Sequence, residues 1–217
     1  IPMMNILNGG AHASNNVEIQ EFMIAPIGAS SFADAVRMGS EIYHILGDIL
    51  RSKGLSASVG DEGGYAPNLA SDSMAIEYTI EAIERSGHGT DKVKIALDVA
   101  ASEWYSEESG LYEMPKRGIK QGRDELISYY SELMERYPLI SIEDPLDQRD
   151  FEGWADMTKK LGDRVMLVGD DLFVTNPERF TKGIGLGAAN AILVKPNQIG
   201  TLSEVMEVTD IAAASGY

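Results

Sequence analysis

The chain has 217 residues, enough for one sizeable domain with a full hydrophobic core. Its formal net charge is −16, from 34 acidic against 18 basic residues, which argues against a nucleic-acid surface because phosphate binding needs clustered lysine and arginine. The absence of cysteine excludes disulfides and thiolate metal sites, and no apolar run approaches the ~20 residues of a membrane span.

The first part of the chain predicts two strands followed by two helices. The strands are expected at 3–7 and 21–26, with the loop NGGAHASNN between them. Apolar residues at helical spacing predict a helix over 32–50, which Gly54 stops, and another over 74–83. The long glycine-rich loop SVGDEGGYAPN lies between these two helices.

The second part of the chain alternates strands and helices. The predicted strands are 93–100, 139–145, 165–172 and 191–198, and the predicted helices are 123–136, 151–161, 177–182 and 201–214. Apolar strands that alternate with helices are typical of a parallel α/β sheet. An open doubly wound sheet usually carries a glycine-rich phosphate turn after its first strand, but the one candidate, GIGLG at 183–187, follows a helix. The pattern therefore favours a barrel.

A charged residue marks the end of each regular strand. These residues are Asp98, Glu143, Asp170 and Lys195. Because active sites of α/β barrels form at the carboxyl ends of the strands, we expect these side chains to share a site. Carboxylate ligands without cysteine indicate a hard cation, Mg²⁺ before Zn²⁺. A cation beside Lys195 would lower its pKa and suit it to act as a base.

Two loops carry a weaker signal. In GDEGGYAPN, glycines flank Asp61 and Glu62 and allow the backbone to approach a ligand closely, although an ordinary acidic turn fits the pattern equally well. The loop NGGAHASNN contains His12, one of three histidines, and a lone loop histidine is more often a solvated side chain than a catalyst.

Seven segments in order resemble the enolase family. They are NGGAHASNN, QEFMIAP, SVGDEGGYAPN, ALDVAASE, SIEDP, GDDLFVTNP and KPNQIGTL. The resemblance covers essentially the whole chain, and the VKPNQIGTL form is more similar to bacterial members. It implies a glycolytic hydro-lyase, phosphopyruvate hydratase, that reversibly dehydrates 2-phosphoglycerate to phosphoenolpyruvate with Mg²⁺. It further implies a cytoplasmic homodimer, and it allows an additional presence at the cell surface.

The resemblance also implies roles for individual residues. Asp98, Glu143 and Asp170 hold Mg²⁺, whereas Asp144 and Asp171 are neighbours rather than ligands. This places Glu143 and Asp170 at the substrate as well.

The resemblance assigns the proton transfers to two residues. Lys195 takes the proton from C2 of the substrate, and Glu62 assists the loss of the C3 hydroxyl. His12, Gln20 and Glu21 lie near the substrate, with Glu21 close to Glu62 and with His12 on a loop that closes over the site.

The family's barrel has the order ββαα(βα)n with an antiparallel second strand, which agrees with the predicted elements. By this resemblance, the chain contains about six of the eight strands of the family's barrel. Residues 1–217 are therefore expected to be an enolase C-terminal barrel domain that lacks the family's N-terminal α+β domain and last barrel strands. On its own, this segment is expected to have little or no activity.

Two alternatives remain open. One is another reaction of the enolase superfamily, such as sugar-acid dehydration or racemisation. The other is a non-catalytic binding role, for which the sequence offers no motif.

Overall fold

The computed structural model describes all residues from 1 to 217. The chain begins with strands β1 (Met4–Asn8) and β2 (Glu21–Ala25), followed by helices α1 (Phe32–Ser52) and α2 (Asp72–Arg85) and by strand β3 (Lys94–Asp98). This order confirms the two strands and two helices predicted for the first part of the chain.

A small sheet that the sequence analysis did not predict comes next. It consists of β4 (Tyr105–Ser106), β5 (Leu111–Met114) and β6 (Ile119–Gln121), in that order. These strands have two to four residues each, too few to show a period of alternating polarity.

The rest of the chain alternates helices and strands as predicted, except that an unpredicted four-residue helix lies between the last strand and the last helix. The elements are α3 (Arg123–Arg136), β7 (Leu139–Glu143), α4 (Phe151–Leu161), β8 (Met166–Gly169), α5 (Pro177–Leu186), β9 (Ala191–Ile192), α6 (Pro196–Ile199) and α7 (Leu202–Ser215).

The six remaining strands belong to one sheet, in the order β1-β2-β3-β7-β8-β9. Strand β2 is antiparallel to both β1 and β3, and Glu21 lies opposite Asp98 in the register. Strands β7, β8 and β9 are parallel, with Glu143 opposite Val168 and Gly169 opposite Ile192. The antiparallel second strand and the ββαα(βα)n order are those of an incomplete barrel, as predicted.

The predicted strand at 191–198 is wrong beyond its first two residues. Only Ala191 and Ile192 pair with β8, and Lys195 occupies the N-cap position of the short helix α6 without a capping hydrogen bond from its side chain. Pro196 occupies the first turn of that helix, where its missing N–H costs nothing, whereas the same proline would interrupt a strand ladder. The predicted strand at 165–172 likewise ends early, so Asp170 directly follows β8.

The chain contains two compact units. The first comprises residues 1–99, 114–119 and 132–140. Its core is formed by apolar side chains with no more than 1% of their surface exposed, including Phe22 and Ile24 of β2, Ile42 and Leu46 of α1 and Ile76 of α2. Each such side chain contributes roughly 1.5–3 kcal/mol through burial.

The second unit comprises residues 100–113, 120–131 and 141–217. Its core is aromatic: Phe173 and Phe180 meet edge to face with their ring centres 5.0 Å apart, and Trp154 and Tyr130 are fully buried. The Tyr130 hydroxyl donates a hydrogen bond of 2.9 Å to the carbonyl of Pro145, which satisfies its polar end.

No helix of this chain combines the length and the apolar character that crossing a membrane requires.

Candidate active site

In the first unit, the loop that carries Glu62 is held by a dense set of hydrogen bonds. The Gly60 amide donates to the Gly64 carbonyl (2.8 Å), and the Asp61 amide donates to the His12 carbonyl (3.2 Å). The Tyr43 hydroxyl of α1 donates to the Gly63 carbonyl (2.9 Å). The loop is therefore fixed to the preceding helix and to the loop after β1.

Gly64 is required by a close approach of two backbone segments. A Cβ atom at this position would lie 2.8 Å from the Leu7 amide nitrogen and 2.7 Å from the Asn8 Oδ1 atom. Contacts this short would force the backbone of β1 away from the loop, so only glycine fits without a shift.

The side chains of His12, Gln20, Glu21, Glu62 and Asp98 all belong to this unit. The His12 Nε2 atom lies 3.9 Å from Glu62 Oε1, and both side chains are partly exposed, at 42% and 31%. The Gln20 amide donates a hydrogen bond of 2.9 Å to Asp98 Oδ2, and Glu21 lies opposite Asp98 across β2 and β3. The unit thus brings two pairs of predicted site residues together, His12 with Glu62 and Gln20 with Asp98.

The second unit holds a cluster of three aspartates. One carboxylate oxygen from each of Asp144, Asp170 and Asp171 lies within 4.8 Å of the others. Carboxylate oxygens in such a group are the donors that hard divalent cations prefer, so the cluster could hold a metal ion. Glu143, the last residue of β7, is also buried in this unit.

Within this cluster, the carboxylate of Asp144 binds the backbone of the loop after β8. Its two carboxylate oxygens accept hydrogen bonds from the backbone amides of Asp170 (3.1 Å) and Asp171 (2.7 Å). Its own backbone adopts a left-handed conformation with φ of 41°, so the chain turns sharply as it leaves β7. Asp144 thereby fixes the loop after β8, which is the segment that presents Asp170.

The pKa of Asp171 is raised by its surroundings in the cluster. Burial raises the pKa of its carboxyl, the negative charge of Asp170 raises it further, and Lys195 acts in the opposite direction. A carboxylate that is costly to ionise gains most from a nearby cation.

Lys195 reaches the cluster from the segment after β9. Its ammonium forms a hydrogen-bonded ion pair with Asp170 Oδ2, while the Gln198 amide donates to Asp170 Oδ1 at 3.3 Å. Its backbone amide donates to the Thr175 hydroxyl (2.8 Å), which fixes the start of α6. The second unit therefore places a lysine against one of the predicted metal ligands.

Several non-glycine residues near the strand ends have positive φ angles. They are Ala100, Asp144, Val174 and Thr175, with φ values of 50°, 41°, 47° and 55°. Val174 and Thr175 are β-branched, for which this conformation is a true outlier. The strain lies after β3 and β7, which end at Asp98 and Glu143, and after β8, which Asp170 directly follows.

The sequence did not indicate Asn8 or Gln198 as site residues, and it indicated Asp144 only as the neighbour of a predicted metal ligand. Asn8 follows an apolar run and precedes two glycines, which is a turn signal rather than a site signal. The second acid of SIEDP could have been singled out as a loop anchor, since aspartate favours bonds to nearby backbone amides.

The fold and the acidic strand-end residues define an incomplete α/β barrel domain with a candidate metal site. The family model of the enolase C-terminal TIM barrel domain matches residues 1–217. The chain belongs to this family.

Proposed function

We propose that residues 1–217 form the barrel domain of an enolase, a hydro-lyase that reversibly converts 2-phosphoglycerate to phosphoenolpyruvate and water. Membership of the enolase C-terminal domain family supports this proposal. The observation that carries it is the ion pair between Lys195 and Asp170, because it holds a candidate base against a cluster of carboxylates.

Asp98, Glu143 and Asp170 are the proposed ligands of Mg²⁺. The donor chemistry fits, since all three are carboxylates and all are at least nine-tenths buried. Asp144 is not included, because its two oxygens hold the backbone amides of Asp170 and Asp171 and thereby fix the loop that presents Asp170. When bound, Mg²⁺ would offset the negative charge that develops on the substrate carboxylate as the C2 proton leaves.

Lys195 is the proposed base. Its Nζ atom takes the C2 proton, and the electron pair of the broken C–H bond first moves into the substrate carboxylate to give an enolate. In a second step this pair forms the C2=C3 double bond as the C3–O bond breaks. The amine must be neutral before it can accept this proton. The hydrogen bond from the Lys195 amide to Thr175 fixes the backbone from which the side chain extends.

Glu62 is the proposed acid. Its carboxyl delivers a proton to the departing C3 hydroxyl, which leaves as water. Its loop is fixed by bonds to α1 and to the His12 loop, so the backbone from which the carboxyl extends is held in place. His12, Gln20 and Glu21 are proposed to contact the substrate.

The full-length protein that contains this chain is proposed to act in glycolysis in the cytoplasm as a homodimer. Besides the second copy in the dimer, its proposed partners are the small-molecule substrate and product, in line with the net charge of −16, which does not favour nucleic acid.

The test is an assay of phosphoenolpyruvate formation from 2-phosphoglycerate by the full-length protein, in the presence of Mg²⁺ or of a chelator. Lys195→Ala should lower kcat by roughly 10²–10⁴-fold, the usual contribution of a positioned base. Lys53→Ala is the matched control, since Lys53 lies at the end of α1 and pairs with Glu81.

Two results would contradict the proposal. If the wild-type protein forms no phosphoenolpyruvate with Mg²⁺, the substrate is wrong, and sugar acids should be tested next. If Lys195→Ala and Lys53→Ala are equally active, the proton acceptor is another group.

A further inference from the structure

Asn8, the last residue of β1, connects three segments of the first unit through its side chain. The residue is fully buried, with 0% of its surface exposed. Its Oδ1 atom accepts a hydrogen bond from the Gly64 amide (2.8 Å). Its Nδ2 atom donates to Glu62 Oε2 (3.1 Å) and to the carbonyl of Gln20 (3.3 Å). Both ends of the amide are therefore engaged.

The orientation of this amide is fixed by chemistry. A backbone N–H can only donate and a backbone carbonyl can only accept, so the oxygen of Asn8 must face Gly64 and its nitrogen must face Gln20. If the amide were flipped, its NH₂ group would face the N–H of Gly64, and its oxygen would face the carbonyl oxygen of Gln20. Neither pair can form a hydrogen bond. The group that Asn8 presents to Glu62 is consequently always an N–H donor.

An N–H donor on one oxygen of Glu62 determines where the carboxyl can hold a proton. Oε2 must accept from Asn8, so a proton on that oxygen would compete with the amide hydrogen. The neutral carboxyl therefore carries its proton on Oε1, the oxygen that lies 3.9 Å from His12 Nε2. The two oxygens of Glu62 are thus made unequal by a single neighbour.

We propose that Asn8 is a positioning residue for the dehydration step, which holds Glu62 so that Oε1 delivers the proton to the leaving hydroxyl. This inference rests on the proposed function of Glu62. It adds a residue that does not itself touch the reacting atoms but selects the oxygen that does.

The loop itself does not depend on Asn8 alone. The bond between Gly60 and Gly64, the bond from Asp61 to His12 and the bond from Tyr43 to Gly63 remain when the Asn8 side chain is changed. A substitution of Asn8 should therefore release the Glu62 carboxyl without releasing its loop.

The experiment separates the two proton transfers. In the full-length protein, Asn8→Asp keeps the oxygen that faces Gly64 but replaces the donor to Glu62 with an acceptor. Asn8→Ala removes both the acceptor for Gly64 and the donor to Glu62. Asn5→Ala is the matched control, because Asn5 lies on the same strand and its buried amide atoms have no hydrogen-bond partner.

Two rates are measured for each variant with 2-phosphoglycerate and Mg²⁺. One is the formation of phosphoenolpyruvate, and the other is the exchange of the C2 proton with deuterium from heavy water. Exchange requires the base Lys195 but not the acid. We expect both Asn8 variants to form phosphoenolpyruvate about 10 to 100 times more slowly than Asn5→Ala, because they lose part of the rate that a positioned acid contributes. The rate of C2 exchange should stay within about threefold of that of Asn5→Ala.

Other outcomes overturn the inference. If dehydration is unchanged, or if dehydration and exchange fall together, Asn8 does not act through Glu62. If both Asn8 variants fail to fold while Asn5→Ala folds, its role is structural. A wild-type protein that forms no phosphoenolpyruvate contradicts the proposed function itself, whereas an active wild type with unaffected Asn8 variants contradicts this inference alone.

Discussion

Asp34 connects the first turn of α1 to the residues before it through its carboxylate. Oδ2 accepts hydrogen bonds from the Ser30 amide (3.0 Å) and the Ser30 hydroxyl (3.1 Å), and Oδ1 accepts one from Arg37 (2.6 Å). The bond from the Ser30 amide, followed by the bonds from Arg37 and the Ser30 hydroxyl, lowers the pKa of Asp34 from 3.8 to about 2. The ionised form is therefore the one that the fold prefers.

This lowered pKa predicts a pH-dependent effect of Asp34→Asn. The carboxylate contributes stability that is fully present above its unfolded pKa of 3.8 and is lost as the pH falls through about 2. The variant should therefore have a lower urea midpoint than the wild type at pH 7, and the difference should shrink as the pH falls from 4 to 2. Asp48→Asn on the same helix, where Asp48 bonds Arg51, is the control. A difference that stays constant over this range would contradict the prediction.

At the same scale, the sequence could predict which side chains carry charge at the strand ends, but not what each one does. Asp98, Glu143 and Lys195 stand out because charged residues directly after apolar runs are unusual. The backbone turn at Asp144 and the bonds from its carboxylate to the loop after β8 depend on φ angles and on a contact 26 residues away. No local pattern contains that information.

At the scale of elements, Asp150 holds the start of α4. Its Oδ1 atom accepts a hydrogen bond from the Gly153 amide (2.9 Å), which satisfies one of the free donors at the helix start. Arg123, at the start of α3, donates to both oxygens of the same carboxylate at 3.1 and 3.2 Å. One side chain therefore caps one helix and pairs with another.

Asp150→Ala should destabilise the protein by about 1–2 kcal/mol, because it removes the helix cap. Asp150→Asn should cost less, since an amide oxygen can still accept from Gly153 while the charge opposite Arg123 is lost. The free energy of unfolding, measured by urea titration, distinguishes the two variants. Equal losses in both would mean that the ion pair, rather than the cap, provides the stability.

The helices were predicted more accurately than the strands. The bounds of α3 and α4 agree with the predicted ranges 123–136 and 151–161, because both helices have apolar residues at helical spacing over several turns. The predicted strand at 191–198 is too long, because Pro196 occupies the first turn of a helix and would interrupt a strand ladder. The strands β4 to β6 are set by pairing with one another, which short segments do not reveal.

For the whole molecule, the sheet has two edges, at β1 and β9. The β1 edge is partly covered, because Tyr65 exchanges backbone hydrogen bonds with Ile6 and Asn8, so β9 is the edge that could pair with another chain. Apolar side chains on α7 are also exposed, with 72% of Leu202 and 67% of Met206 accessible to solvent, one helical turn apart. Both features favour association of the 217-residue chain with itself, in spite of its net charge of −16.

This association can be tested by a double substitution. Leu202→Lys with Met206→Lys should increase the monomeric fraction of the 217-residue chain, because two charges replace adjoining apolar surface. Phe32→Lys, at an equally exposed apolar residue on α1, is the control. Sedimentation over a range of concentrations measures the effect. If the control has the same effect as the double substitution, association does not depend on α7.

The left-handed backbone at Val174 and Thr175 has a consequence for attempts to make the protein more heat-resistant. Such conformations cost roughly 1–3 kcal/mol each in residues other than glycine, so glycine at either position would relieve strain. The Thr175 hydroxyl, however, accepts the hydrogen bond from the Lys195 amide, so glycine at position 175 would release the backbone that carries the proposed base. A selection for thermal tolerance alone would tend to replace the left-handed residues Val174 and Thr175 with glycine. Stabilised variants therefore have to be chosen by turnover as well as by melting temperature.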